Sequence, residues 1–93
     1  MRNKGDALIK SERYEEVIAA YEKAIEIEPD YYQAWYNKGI ALSDLGRYEQ
    51  TIYAFDRAIE IKPDFHEAWN GKGNALSDLG RYEEAISAFD RAI

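Results

Sequence analysis

The sequence predicts an all-α fold, an α-solenoid of tandem antiparallel helix pairs, and an internal repeat is the main reason. Residues 34–59 and 68–93 carry nearly the same sequence 34 positions apart, and 20 of the 28 positions aligned from Tyr32 onward are identical. A fainter copy occupies residues 1–30. A fixed period of this length is typical of stacked supersecondary units, each burying its apolar face on its neighbours. Stacked units present a surface rather than an enclosed pocket, which favours a binding scaffold over a catalyst.

Apolar residues three and four positions apart predict two helices in each repeat. In the middle copy the first helix is expected over residues 32–45 and ends at Gly46, because glycine accepts the left-handed conformation that follows a helix end. The second is expected over residues 48–61 and ends before Pro63, whose ring would clash with the preceding turn. The first copy has Glu12 where the middle copy has Gly46. Across the three copies the pattern predicts six helices, at residues 2–10, 14–27, 32–45, 48–61, 66–79 and 82–93.

We expect one domain over residues 1–93. It would contain a partial first repeat (1–31), a second repeat (32–65) and a third repeat (66–93) that lacks its end and any capping helix. Solenoids normally carry a polar capping helix, so the chain is expected to be a piece of a longer array, truncated at both ends. Its C-terminal end should then leave apolar surface bare, which favours homo-oligomers through the repeat ends. The residues expected on this surface are Leu76, Ile86, Phe89 and Ile93.

Composition and charge exclude several classes of function. The 93 residues include no cysteine, which excludes disulfides, thiolate metal sites and a cysteine nucleophile. A net charge of −6 without a basic cluster is a poor electrostatic match for nucleic acid or anionic lipid. No apolar run approaches the length of a membrane span. We therefore expect no nucleic-acid partner and no membrane partner, and from the absence of cysteine, which fits a reducing compartment, we expect a cytoplasmic location.

The sequence shows no constellation typical of catalysis, a metal or a cofactor. His66 is the sole histidine, and one histidine cannot hold a zinc ion. Serine, histidine and acidic residues never recur at a meaningful spacing. The stretch Asn70-Gly71-Lys72-Gly73 has the composition of a phosphate-binding loop, but no strand precedes it and it lies inside a predicted helix. We expect no enzymatic activity, no metal and no cofactor, and we expect the two neighbouring glycines to soften that helix.

The repeats resemble the tetratricopeptide repeat family, which places a tryptophan, small residues, aromatic residues and a proline at fixed positions. The resemblance covers the whole chain and implies a right-handed solenoid of about three repeats, in which the first helix of each repeat lines a concave groove. One departure is a lysine at the position of a family leucine in all three copies. The matching residues are Trp35, Gly39, Leu42, Gly46, Tyr48, Phe55, Ala58 and Pro63 in the middle copy, and Trp69, Gly73, Leu76, Gly80, Tyr82, Ala85, Phe89 and Ala92 in the third.

The family resemblance implies a non-catalytic protein–protein interaction module that binds an extended peptide or partner segment in this groove. The two close copies differ along one face of the first helix, as expected where packing does not constrain the residues. Asparagine side chains on this face can donate to and accept from a peptide backbone, so they would hold an extended chain of varied sequence. The candidate groove residues are Asn3, Gln33, Tyr36, Asn37, Ile40, Asn70 and Asn74.

The charge of the candidate groove favours a neutral or basic partner. Some family members clamp the terminal carboxylate of a partner, but Asp6 and Glu67 would repel a carboxylate at the matching positions. Two alternatives stay open from the sequence. The chain could be an architectural or self-assembly segment of a larger protein, or the docking domain of a larger multidomain enzyme.

Overall fold

The computed structural model describes the backbone of residues 2–93 and the side chains of residues 11–93. It contains five helices and, within residues 2–93, no strand, so the predicted all-α repeat fold is confirmed. The helices pack in chain order, each against the next, and α2 also meets α4. Their bounds are α1 (Arg2–Ile27), α2 (Tyr32–Asp44), α3 (Tyr48–Ile61), α4 (His66–Asp78) and α5 (Tyr82–Ala92).

The prediction of two helices in the first repeat is wrong, because residues 2–10 and 14–27 belong to the single helix α1. The turns that follow α2 and α4 depend on Gly46 and Gly80, whose φ angles are +76° and +79°. These are left-handed conformations that a residue with a β-carbon disfavours. Glu12 occupies the matching position in the first repeat, so nothing there ends the helix.

The glycine turns are closed by a repeated pair of backbone hydrogen bonds. The N–H of Gly46 donates to the carbonyl of Ser43 at 2.9 Å, and the N–H of Arg47 donates to the carbonyl of Leu42 at 2.9 Å. This is the Schellman arrangement, which satisfies carbonyls left free at a helix end. The same two bonds recur at Gly80. The chain therefore reverses direction in the same way in the second and third repeats.

Each tryptophan anchors the loop that precedes its own repeat. The indole N–H of Trp35 donates to the carbonyl of Pro29 at 3.0 Å, and that of Trp69 donates to the carbonyl of Pro63 at 3.0 Å. Both bonds span six residues and join the end of one repeat to the first helix of the next. The tryptophans thus fix the path of the chain between repeats as well as filling space.

The lysine that departs from the family pattern joins neighbouring repeats. The ammonium of Lys38 lies 5.3 Å from the centre of the Trp35 ring and 3.3 Å from a carboxylate oxygen of Glu22. The matching Lys72 lies 2.8 Å from a carboxylate oxygen of Asp56. A lysine can cover an aromatic face with its stem while its charge meets a partner. The lysine at this position therefore supplies a contact between repeats.

A second row of ion pairs also joins successive repeats. Arg47 donates two hydrogen bonds to the carboxylate of Glu15, and the matching Arg81 lies 3.2 Å from Glu49. Arg81 also donates to Glu84 within its own repeat. These pairs are exposed, so each contributes little to stability by itself. Their hydrogen bonds lower the pKa of the Glu15 and Glu84 carboxyl groups below the usual 4.5.

We expect the lowered pKa values of Glu15 and Glu84 to make stability depend on pH in acid. A carboxyl group whose pKa is lower in the folded state stabilises the fold above its unfolded value, and this contribution is lost as the pH falls through the folded value. The double variant Glu15→Gln/Glu84→Gln should therefore lose less stability than the parent protein between about pH 5 and about pH 3. Urea denaturation at several pH values measures this. Glu26→Gln, at an exposed position, is the control, and equal pH profiles for parent and double variant would contradict the expectation.

The core of the solenoid contains a phenylalanine ring held between two glycines. A β-carbon on Gly39 would lie 2.6 Å from Cε1 of Phe55, and one on Gly71 would lie 2.6 Å from Cε2 of the same ring. The ring of Phe55 is 3% exposed. Gly71 was expected only to soften its helix, but it also gives the ring room on the α4 side. Glycine in a helix interior costs about 1 kcal/mol relative to alanine, and the close approach of the ring accounts for a glycine at this position.

The bare C-terminal surface is smaller than predicted. Leu76 is only 1% exposed, because it packs with Ala85 in a cluster between α4 and α5. Phe89 is half-buried beside the same cluster. Ile86 and Ile93 are 61% and 97% exposed, as expected. The residues that face the other helix of their own repeat are covered, and those that face outward from α5 are bare.

The variant Gly71→Ala should destabilise the protein even though alanine is the better helix former. The gain in helix propensity is about 1 kcal/mol, whereas overpacking costs about 1–3 kcal/mol. We expect a net loss on the order of 1 kcal/mol by urea denaturation. In the background Phe55→Leu, where the ring is gone, the same change should be neutral or stabilising. An increase in stability for Gly71→Ala alone would show that the ring does not depend on the glycine.

Candidate functional site

A shallow depression lies between α2 and α4, the first helices of the second and third repeats. Its volume is about 210 Å³. Residues three and four positions apart on each helix reach it, as expected for one helix face. Phe55 of α3 also lines it. The remaining lining residues are Tyr36, Ile40, Ser43 and Asp44 of α2 and Glu67, Asn70, Gly71 and Asn74 of α4.

Aromatic rings form the floor of this groove. The half-buried ring of Tyr36 lies 5.5 Å from the centre of the Phe55 ring and 4.8 Å from that of Phe65. Phe65 in turn meets Tyr32 edge-on at 5.2 Å. Burial, and then the negative charge of Glu67, raise the pKa of the Tyr36 hydroxyl above its ordinary value, which is itself well above neutral pH. The floor is therefore a neutral and firmly packed surface.

The walls of the groove offer amide and apolar groups. Asn70 and Asn74 are exposed on α4, and Ile40 is 38% exposed on α2. Neither asparagine takes part in the side-chain hydrogen bonds found within residues 11–93. Their amides can therefore bind a ligand without first breaking such a bond. An apolar ligand side chain can contact Ile40 beside them.

The charged residues that line the groove are both acidic. Asp44 and Glu67 are exposed, and the lining set contains no lysine or arginine. The charge of Asp44, followed by burial and a hydrogen bond, raises the pKa of the nearby Tyr14 hydroxyl. A negative field at the groove attracts cations and repels carboxylates. The electrostatics therefore favour a neutral or basic ligand.

Four of the predicted site residues surround this one groove. Tyr36 and Ile40 come from α2, and Asn70 and Asn74 come from α4. Tyr36 lies deeper than expected, as part of the floor. The sequence comparison had indicated these positions because they differ between otherwise matching repeats.

Of the other three predicted residues, two lie elsewhere. Gln33 is exposed near the start of α2 and Asn37 is half-buried, and neither lines the groove. Asn3 belongs to the first turns of α1, and its side chain falls outside the described residues. The peptide-binding role predicted for Asn3 and Asn37 stays a prediction.

Phe55 is a lining residue that the sequence did not indicate, because its pattern assigned it only to packing. The available signal was the change from Asn37 to Gly71 at matching positions. A glycine there opens space, and the ring of Phe55 fills it from below. A packing residue thereby becomes part of the candidate site.

A larger depression, about 520 Å³, lies among α1, α2 and α3 and is lined by a different set of residues. Its charged residues include the pairs Lys38–Glu22 and Arg47–Glu15, which join the first and second repeats. Because these charges already satisfy one another, this depression is better explained as part of the junction between repeats than as a ligand site.

The described part of the chain contains no group of three acidic or histidine side chains that could hold a metal ion. None of the helices within residues 2–93 combines the length and apolar character needed to cross a bilayer.

Sequence comparison identifies the family. The profile described as tetratricopeptide repeat matches residues 32–65 and 66–93, and a second profile, described as TPR repeat, matches residues 5–46. These matches cover most of the chain, so it belongs to the tetratricopeptide repeat family. The predicted family is confirmed, and membership supports a role as a protein-interaction module. No significant match is found among curated proteins.

Solved structures of repeat proteins share the fold. Two crystal structures of MamA align with TM-scores of 0.79 and 0.85, at 32% and 30% sequence identity. They cover 81% and 95% of this chain, which spans only 41% and 52% of those chains, about half their length. The second TPR domain of Spaghetti (RPAP3), solved with an HSP90 peptide, aligns with a TM-score of 0.83 at 23% identity. That alignment covers 97% of this chain and 83% of the other. At that identity the likeness concerns the fold alone.

Proposed function

We propose that this chain is a non-catalytic module that binds an extended segment of a partner protein in the groove between α2 and α4. The exposed amides of Asn70 and Asn74, set beside Ile40 above an aromatic floor, carry this proposal. An asparagine side chain both donates and accepts, so it pairs with either polar group of a peptide backbone. The packed helices hold these groups in place, which reduces the entropy lost on binding.

The chemistry of the groove also indicates which kind of peptide would bind. An apolar ligand side chain would contact Ile40 and Tyr36, and a neighbouring lysine or arginine would face Asp44 and Glu67. Buried aromatic anchors such as Tyr36 supply much of the affinity at interfaces, and opposite charges select among partners. We therefore propose an extended partner that is neutral or basic.

The acidic groove differs in charge preference from what one structural neighbour binds. The Spaghetti (RPAP3) domain is solved with the peptide SRMEEVD, which carries three acidic side chains. Asp44 and Glu67 would repel such a peptide in the present groove. We therefore do not propose the same ligand for this chain.

The remaining expectations belong to the same proposal. The acidic surface gives no support to a nucleic-acid or membrane partner, and the chemistry of the groove requires no cofactor. A cytoplasmic location stays a prediction from the absence of cysteine. The exposed Ile86 and Ile93 support homo-oligomers through a repeat end. The two alternative functions differ in what they require of the groove. An architectural segment of a larger protein would bind no ligand there, whereas the docking domain of an enzyme would bind a partner segment there as proposed.

Binding to an array of extended peptides tests the proposal. Matched peptides would carry one leucine beside lysine, glutamine or glutamate. We expect the lysine peptides to bind most tightly and the glutamate peptides most weakly, as measured by fluorescence anisotropy. The variant Asn70→Ala/Asn74→Ala should weaken binding about tenfold, since each lost hydrogen bond costs about 0.5–1.5 kcal/mol.

The control for that variant is Gln50→Ala, which removes an exposed amide of α3 that lies outside the groove. It should leave affinity unchanged. Glu67→Gln should narrow the preference for lysine over glutamate peptides without abolishing binding. Failure of every peptide to bind, or equal binding by the double variant and the parent protein, would favour the architectural reading.

A further inference from the structure

An apolar stripe on α5 lacks the cover that the matching stripe has on α3. Its residues are four and three positions apart, so they lie on one side of the helix. Ile86 is 61% exposed, whereas the matching Ile52 of α3 is 9% exposed. Tyr82 is 63% exposed, whereas the matching Tyr48 is half-buried. We call this set the end stripe, and it consists of Tyr82, Ile86, Phe89 and Ile93.

The first helix of the following repeat covers the matching stripe on α3. Ile52 packs in one cluster with Ala75 and Leu76 of α4. The ring of Phe55 lies against Gly71, where a β-carbon would be 2.6 Å from the ring. The matching stripe on α1 likewise packs in a cluster with residues of α2. A closely approaching helix therefore covers two of the three stripes, and among residues 11–93 the end stripe has no such cover.

Acidic residues beside the two covered stripes bind basic residues of the following repeat. The matching acids of α5 are Glu83 and Asp90, which are exposed and lie seven positions apart, on one side of the end stripe. Neither takes part in the ion pairs found among the side chains of residues 11–93. The pairs at the covered stripes are Glu15–Arg47 and Glu22–Lys38, then Glu49–Arg81 and Asp56–Lys72.

A second copy of the chain is a poor partner for this surface. Two end stripes packed antiparallel would place Glu83 of each copy near Asp90 of the other, because both acids lie on the same side of the stripe. Like charges in such a contact oppose it. The net charge of −6 adds repulsion between two copies in any arrangement. The homo-oligomer proposed for this repeat end is therefore weaker than a complex with a helix that carries basic residues.

We propose that the end stripe, together with Glu83 and Asp90, binds an amphipathic helix of a partner protein that has the chemistry of α4. This helix presents a glycine to the ring of Phe89 and, one position later, a lysine to Asp90. Gly71 and Lys72 have these roles where α4 covers α3. The end stripe does not line the groove between α2 and α4, so this second surface does not depend on the proposed peptide site.

A peptide with the sequence of residues 64–81, which include α4, tests the proposal. A hydrocarbon staple that replaces His66 and Asn70 keeps the peptide helical and lies on the face away from its Gly71 and Lys72 positions. We expect the labelled peptide to bind the protein in fluorescence anisotropy.

The variant Ile86→Asp should weaken binding of the peptide at least about tenfold, because it places a charge in the apolar contact. Ile86 is exposed, so the variant should still fold. The control is Ile27→Asp, the same change at a 79% exposed position of α1, and it should leave the affinity unchanged. Absence of binding, or binding that Ile86→Asp leaves unchanged, would overturn the proposal.

An exchange of charges tests the contact between lysine and Asp90. Asp90→Lys in the protein, or Lys72→Glu in the peptide, should each weaken binding about threefold, and combining the two should restore the affinity. Failure of this rescue would overturn the assigned contact. The groove variant Asn70→Ala/Asn74→Ala should bind the stapled peptide as the parent protein does, which separates this site from the groove. A parent dimer that Ile86→Asp dissociates and the peptide does not would overturn the proposal, because a second copy would then occupy the end stripe.

Discussion

The contact between a glycine of one helix and a phenylalanine ring of the next sets the geometry on which the rest of the solenoid depends. Phe55 enters the space left by Gly39 on α2 and by Gly71 on α4. One ring thus fixes the distances from α3 to both helices that form the groove. The first of these contacts recurs in the third repeat, between Gly73 and Phe89. The candidate site and the core are therefore joined through the same side chain.

The helices from α2 to α5 could be predicted to within about one residue at most ends, because glycine and proline punctuate them and both act locally. The first repeat could not be predicted in this way. Its apolar pattern matches the later repeats, and only Glu12 differs at the position that decides between a turn and a continuous helix. The spacing of apolar residues indicates which residues prefer to be buried. It does not indicate whether the chain can reverse direction between two such stretches.

Site residues could be predicted from the sequence where they differ between the repeats. A site residue that also packs in the core could not be predicted in this way. Tyr36, Ile40, Asn70 and Asn74 stood out because near-identical repeats diverge at these positions. Phe55 is the same in the second and third repeats, so comparison of the copies gave no reason to select it. Its place beneath the groove follows from a glycine on a different helix, and such a relation needs three-dimensional coordinates.

The ion pairs between repeats give the array a direction. Each repeat presents acidic groups toward the repeat that follows and basic groups toward the repeat that precedes, as in Glu22 with Lys38 and Asp56 with Lys72. Because every junction carries the same polarity, a duplicated unit inserted at a junction would find complementary charges on both sides. A gene that gains or loses one period would still encode compatible neighbours, so the length of such an array can change during evolution without redesign of its joints.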